Sequence, residues 1–338
     1  MTLGGRQFSQ TFPISALFDP RVFARAVSAR GMNPPILYHY TDETALRGIV
    51  SPPSWDFDHP ALDRAAQLWA SDVRYMNDAQ ELLFGAAPLV ERLRAAAAAA
   101  DSSLPANLAA KLARLAEIFS DTDVLRWDLK CFAACLCDSP EVVSQWQVYA
   151  RTGGYAIGFS WDALAEHSFA LHPESTAVGN SPFPAGLRWM TYGKPAAEAM
   201  AEDVVRWVRS AYEGPQGGGM VRTMIQGGES GLRFLASVIL ARLASVKHGD
   251  FQHEREWRLV AVSEPGYPAK VRQSGGGDLP YLQTAVNMND TNVPVTIAKL
   301  VVGPGPDQPG RIALARQLLE GRGHDPDVVV GHKGPLRW

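Results

Sequence analysis

The chain has 338 residues, 46% of them hydrophobic and 20% charged, and a formal net charge of -3. Such values allow a sizeable core and exclude both a disordered chain and a global basic field that would draw it to nucleic acid. No apolar run reaches the length of a membrane helix, and the start lacks the charged head and apolar core of a signal peptide, so the expectation is a cytoplasmic protein with no membrane partner.

Residues 1–35 read as an N-terminal arm with one short helix, PRVFARAVSARG, closed by Gly31. ILYHYT (36–41) reads as a strand and DETALRGIV as the helix after it. LWAS (68–71) is another strand. Leu82, Leu83, Ala86, Leu89, Val90 and Leu93 then recur at helical spacing, and the SSLPAN segment ends that helix. A second helix covers about Leu108–Phe119. KCFAACLC is apolar on both faces and reads as a central strand. PEVVSQWQVYA makes a helix, RTGG a turn, and YAIGFS and LRWMTY strands. An amphipathic helix over 195–213, a glycine-rich loop over 214–230 and a helix over 231–246 lead to HEREWRLVAV, read as a strand. YLQTAV is a strand within a Gly/Pro/Asn-rich stretch, and IAKLVVGP, a helix over 309–321 and DVVVG close the chain. The expectation is one α+β domain over 36–338 with a helical insertion at about 78–120.

Cys131, Cys135 and Cys137 lie close in sequence, but a strand puts the first two about 13 Å apart. Zinc holds thiolates within roughly 4 Å of each other, so these three read as buried small side chains in a reducing compartment rather than ligands. No P-loop, dinucleotide fingerprint, nucleophile elbow or helical histidine pair is present.

Polar residues gather in four places: YHYT at 38–41, SDVRYMNDAQE at 71–81, SQWQVYARTGGYAIGF at 144–159 and KHGDFQHEREWR at 247–258. Each has a structural reading. Asn77 or Asp78 suits a helix N-cap with Glu81 closing a capping box. Trp146 and Tyr149, three apart on a helix, suit core packing. In HEREWRLV, strand alternation puts Glu254, Glu256 and Arg258 on one side, about 7 Å apart. That pattern fits either a solvated edge strand or a carboxylate kept for a substrate.

The order of these motifs resembles the bacterial domain-of-unknown-function family 2971, from about residue 36 to the C-terminus. The resemblance rests on YHYT, LWASDVRYMNDAQE, the CF strand, QWQVYARTGGYAIGF, Lys247 followed by HEREWRLV, and IAKLVVGP. It departs at His253, where the family often has tyrosine. A second resemblance is to ADP-ribosyltransferases, which order histidine, an aromatic and glutamate along the chain as His39, Tyr75 or Tyr149, and Glu256 do here. That resemblance implies a split mixed β-sheet with a central cleft and helical insertions, binding NAD.

It further implies roles. Glu256 first, and Glu254 second, stabilises the ribosyl cation formed as nicotinamide leaves. His39 bonds a ribose hydroxyl and the backbone at Tyr40 meets the nicotinamide amide. Tyr149 or Tyr75 stacks on the ring, and Lys247 and Arg258 meet the pyrophosphate. Thr41, Asn77 and Trp146 complete the cofactor set. The expected activity is an NAD-dependent ADP-ribosyltransferase or NAD glycohydrolase, a toxin or defence effector, with the acceptor (protein, nucleic acid, small molecule or water) left open. Two alternatives stand beside it. One is a metal-dependent nuclease using Asp78, Glu81, Glu254, Glu256 and Lys247. The other is a non-catalytic nucleotide-binding sensor domain.

Overall fold

The computed structural model describes residues 36–50, 65–76, 79–99, 106–150, 153–166, 168–171, 186–213, 227–262, 269–274, 277–286 and 296–334. The expected arm over 1–35, its helix, and most of the glycine-rich loop over 214–230 lie outside these residues. Among the described residues no helix is long and apolar enough to cross a membrane.

The chain order begins β1 (Ile36–Thr41), α1 (Glu43–Val50), β2 (Ala66–Asp72), α2 (Ala79–Ala98), α3 (Ala106–Ile118) and β3 (Cys131–Cys137). A single helical turn, α4 (Val143–Gln145), then widens into a π-helix over Trp146–Ala150. β4 (Tyr155–Ser160), α5 (Trp161–Glu166), β5 (Ser168–Leu171), β6 (Gly186–Trp189), β7 (Thr191–Tyr192), α6 (Lys194–Glu213) and α7 (Gly228–Leu243) follow. The remainder is β8 (Val246–Lys247), β9 (Glu256–Val262), β10 (Lys270–Ser274), β11 (Gly277–Val286), β12 (Ile297–Val302), α8 (Gln308–Glu320) and β13 (Val329–Gly331).

The main sheet runs β10-β11-β2-β3-β1-β4-β12-β13, with β5 on β11, β9 on β3 and β6 on β9. Its pairs are antiparallel except β12–β13, so the sheet is mixed and the fold α+β. β3 is the branch point. β9 follows the whole of one edge, from Cys131↔Val262 to Cys137↔Glu256. The other edge is shared: β2 pairs at Phe132 and Ala133, and β1 pairs at Cys137. Between those contacts the sheet splits. The Cys135 carbonyl oxygen faces the split and lies 2.8 Å from His39 Nδ1, so a side chain supplies the partner that a strand otherwise would.

Strand alternation then sorts the core. Leu37, Phe132, Ala134, Leu136, Ile157, Trp257 and Leu259 turn to one face, covered by α1, α5 and α8. On the opposite face, Cys131, Ala133 and Val260 pack beneath α2, α3, α6 and α7. On that same face Tyr38, Tyr40, Cys137, Ala156 and Val301 pack beneath the π-helix. The two apolar clusters of this second face are separate, and the polar residues described below gather with Cys135 and Cys137, where β3 meets β9.

Several elements depart from the sequence pattern. LRWMTY breaks at Met190 into β6 of the main sheet and β7 of a two-stranded parallel pair with β8. β10 forms in the stretch taken as irregular, because it completes an antiparallel pair with β11. The Trp–Tyr helix is π-helical over Trp146–Ala150, and the strand after it is entered through Gly153, with φ 94°, and Gly154. At Gly154 any Cβ would collide with the carbonyl oxygens of Ala150 and Thr41. Gly48, in the middle of α1, has open space around a Cβ. Gly154→Ala is therefore expected to lower the unfolding free energy by about 1–3 kcal/mol. Gly48→Ala is expected to raise it by about 0.5–1 kcal/mol. Urea denaturation of the two variants reads both signs.

Candidate functional site

The HEREWRLV segment is not one strand. Residues Gly249–Glu254 form a 3-10 helix, Arg255 sits in the left-handed region at φ 51°, and β9 starts at Glu256. Arg255 points outward and pairs with Asp138 at 2.6 Å. The alternation expected over 253–258 fails at its first half for this reason. Glu254 and Glu256 still meet, because the left-handed residue folds the chain back so that both carboxylates reach Lys247 on β8. Nor is β9 an exposed edge strand: it lies between β3 and β6, and Glu256 and Arg258 are buried.

Lys247 Nζ donates to Glu254 Oε2 at 2.6 Å and to Glu256 Oε2 at 2.9 Å, and lies 3.6 Å from Glu81 Oε2 near the start of α2. Arg258 closes the network from the other side. Its Nε donates to Glu256 Oε1 at 2.7 Å, and its Nη1 meets Glu81 Oε1 at 2.5 Å and the Ala244 carbonyl beyond α7 at 2.7 Å. The Glu256 backbone N–H donates to Tyr192 Oη at 2.9 Å, and Lys247 lies 5.0 Å from the Phe251 ring centre. Three carboxylates against two cations leave one negative charge when all are ionised.

Burial alone would raise the Glu256 pKa, but the Arg258 and Lys247 charges outweigh it and bring it from 4.5 down to about 2. Burial likewise works to lower the Lys247 pKa, and Glu256 with Glu81 reverse it to a net rise. The Tyr149 ring projects from the π-helix, 43% exposed. Burial of its hydroxyl, with Cys135 and Glu256 adding, pushes its pKa up to about 12. Burial and then the Glu256 charge hold the Cys135 thiol well above its usual range, which favours the protonated form. The cysteines are free, and none is set up as a metal ligand among the described residues.

The structure thus brings together Glu254, Glu256, Lys247 and Arg258 with Tyr149 nearby, and it places the other expected residues that it describes elsewhere. His39 pairs with Ile157 and follows Leu37 in alternation, whereas Tyr38, Cys137 and Glu256 share the opposite face. His39 and Glu256 therefore do not face each other across one hollow. Burial, which the Cys135 carbonyl opposes and the Arg272 charge assists, keeps the His39 pKa low and its ring neutral. Tyr40 Oη donates to the Ser139 carbonyl at 2.7 Å and accepts from Val142 N–H, which makes it a brace for the π-helix. Thr41 is buried at the end of β1. Trp146 is fully buried, donates to the Pro140 carbonyl at 2.8 Å and packs edge-on to Tyr40, so it is core and not a cofactor contact. The Tyr75 ring lies 5.6 Å from the Arg74 guanidinium and makes no described contact with the cluster. Lys247 and Arg258 are held by carboxylates instead of waiting for a pyrophosphate. Asn77 and Asp78 lie outside the described residues.

Glu81 joins the network although its local pattern fits a capping box equally well. Neither Tyr192 nor Cys135 was read from the sequence as a site residue. Tyr192 belongs to a two-residue strand with no periodicity to mark it, and Cys135 looked like one more apolar strand residue. Glu81, Glu254 and Glu256 converge on Lys247. An ammonium sits where their oxygens meet, and among the described residues no group of three or more His, Cys, Asp or Glu is arranged to hold an ion.

The ionised Glu256 supports the folded state above about pH 4.5, and that support is lost as pH falls toward 2. Glu256→Gln is expected to cost about 3–5 kcal/mol at neutral pH, because it removes the carboxylate that buried Arg258 and Lys247 share. It is also expected to flatten the loss of stability between pH 4.5 and 2. Denaturation curves across that window, for both proteins, check the sign.

Residues 145–259 match a family model described as Protein of unknown function (DUF2971). The matched stretch holds Tyr149, Lys247, Glu254, Glu256 and Arg258, and it supports the resemblance to that family. Comparison with curated proteins and comparison with solved structures each found no match. None of these comparisons supports the resemblance to ADP-ribosyltransferases.

Proposed function

We propose that the chain cleaves the nicotinamide–ribose bond of NAD, by transfer to an acceptor or to water, with Glu254 as the carboxylate that meets the sugar. The observation that carries this reading is the contrast between the two acids. Glu256 has both oxygens engaged by Arg258 and Lys247 and is buried. Glu254 gives one oxygen to Lys247, its side chain is 17% exposed, and its Oε1 takes no hydrogen bond among the described residues. That reverses the order expected from the sequence. Glu256 becomes a positioning residue that fixes Lys247, and Lys247 aims Glu254.

The chemistry balances on these groups. The C1′–N bond breaks with both electrons passing to the cationic pyridinium ring, which leaves as neutral nicotinamide. Positive charge grows on the ribose and is met by the Glu254 carboxylate, which is fixed beforehand and so favours the transition state over the ground state. An acceptor hydroxyl or water then bonds to C1′ and gives its proton to Glu254. The exposed Tyr149 ring offers a surface for the nicotinamide. His39 has no part in this reading.

Incubation of the chain with NAD is expected to release nicotinamide, measured by chromatography. Glu254→Gln is expected to reduce the rate by about 100-fold or more while leaving stability close to wild type. Intact NAD after long incubation would sink the proposal. Thermal stabilisation by ADP-ribose without turnover would then favour the sensor reading, and divalent-metal-dependent nicking of DNA or RNA the nuclease reading.

A further inference from the structure

We infer that the sheet face carrying Trp69, Arg272 and Tyr281 is a binding site for a nucleoside phosphate, with the base against Trp69 and the phosphate on Arg272. Trp69 and Tyr281, cross-strand neighbours on β2 and β11, stack with ring centroids 4.5 Å apart and planes 30° apart. Trp69 Nε1 is fixed by Gln67 Oε1 at 2.8 Å, yet the residue is 41% exposed. A large ring held in one orientation and left in solvent is a surface for stacking. Arg272 on β10 lies over both rings, 5.3 Å from Trp69 and 5.9 Å from Tyr281, and donates to Ser71 Oγ at 3.0 Å. No carboxylate pairs with it among the described residues. An uncompensated guanidinium on aromatic rings, its pKa lowered by partial burial, is complementary to a phosphate. The chain has 32 basic and 35 acidic residues, which favours a small nucleotide over a nucleic-acid strand.

The registers connect this surface to the carboxylates. Ser71 pairs with Ala133, and Ala133, Cys135 and Cys137 share a face with Glu256. Trp69 and Glu256 are separated by two strand spacings and about two residues along the strand, roughly 12 Å. An extended dinucleotide reaches that far. The inference rests on the proposed NAD chemistry for one point, the end of the nucleotide that faces Glu254: phosphate and base lie on the platform, and the ribosyl group to be transferred lies at the acid.

The test is equilibrium binding of AMP and of ADP-ribose, by calorimetry, to the full chain and to Trp69→Ala and Arg272→Gln. Near-UV circular dichroism confirms that each variant is folded. Each substitution is expected to weaken both ligands by about tenfold, and rising salt is expected to weaken wild-type binding more than that of Arg272→Gln. Failure of the wild type to bind either ligand, or variants that bind as it does, would overturn the inference. AMP has no nicotinamide bond, so AMP binding lost in both variants supports the platform even in a chain that never releases nicotinamide. Nicotinamide release with KM unchanged in both variants would remove the platform and leave the cleavage reading standing.

Discussion

An ammonium group taken out of water and set among carboxylates is the constraint around which the rest is arranged. Desolvating Lys247, Arg258 and their acids carries a penalty of several kcal/mol per ion, which only close, well-oriented partners offset. The partners come from separate places: Glu81 from α2, Glu254 from a 3-10 helix, Glu256 and Arg258 from β9, and the Ala244 carbonyl from the end of α7. None can shift far without leaving a buried charge alone. The network thus does less for overall stability than for uniqueness, fixing how β8, β9, α2 and α7 sit together.

Much of the fold was visible in the chain, because burial on one face imposes a readable period. YHYT, CFAACLC, YAIGFS and IAKLVV are strands where alternation or apolar continuity put them, and the Leu82–Leu93 helix follows its spacing. The elements that were not visible owe their form to partners distant in sequence. β10 exists because β11 offers an edge. LRWMTY divides because its two halves pair with different strands. The π-helix is flanked by contacts distant in sequence, Tyr40 on the Val142 N–H and the Thr41 carbonyl against Gly154, and neither leaves a periodic trace near Trp146.

The candidate site was legible as a set of residues and not as an arrangement. Lys247, Glu254, Glu256 and Arg258 stand close in the chain, so a charged cluster there was apparent. Their division into clamped and open acids was not, since it depends on which oxygens Arg258 reaches. His39 illustrates the opposite error. Its position near the start of the chain suited a catalytic partner, but strand parity and the Cys135 carbonyl make it a plug in the split of the sheet. Glu81 was grouped with Glu254 and Glu256 only as a metal ligand, whereas the structure pairs it with Lys247 and Arg258.

The left-handed residue between the two acids has a wider implication. The Arg255 side chain faces solvent and pairs with Asp138, yet its backbone sets the angle between Glu254 and Glu256. The convergence is thus written in a main-chain torsion rather than in the side chains that perform it. The middle residue of this E-x-E is therefore under a backbone constraint, one that Arg255 meets and that glycine, asparagine and aspartate meet with less strain. A template that assumes an uninterrupted strand would place the paired acids parallel, and so overlook sites built this way.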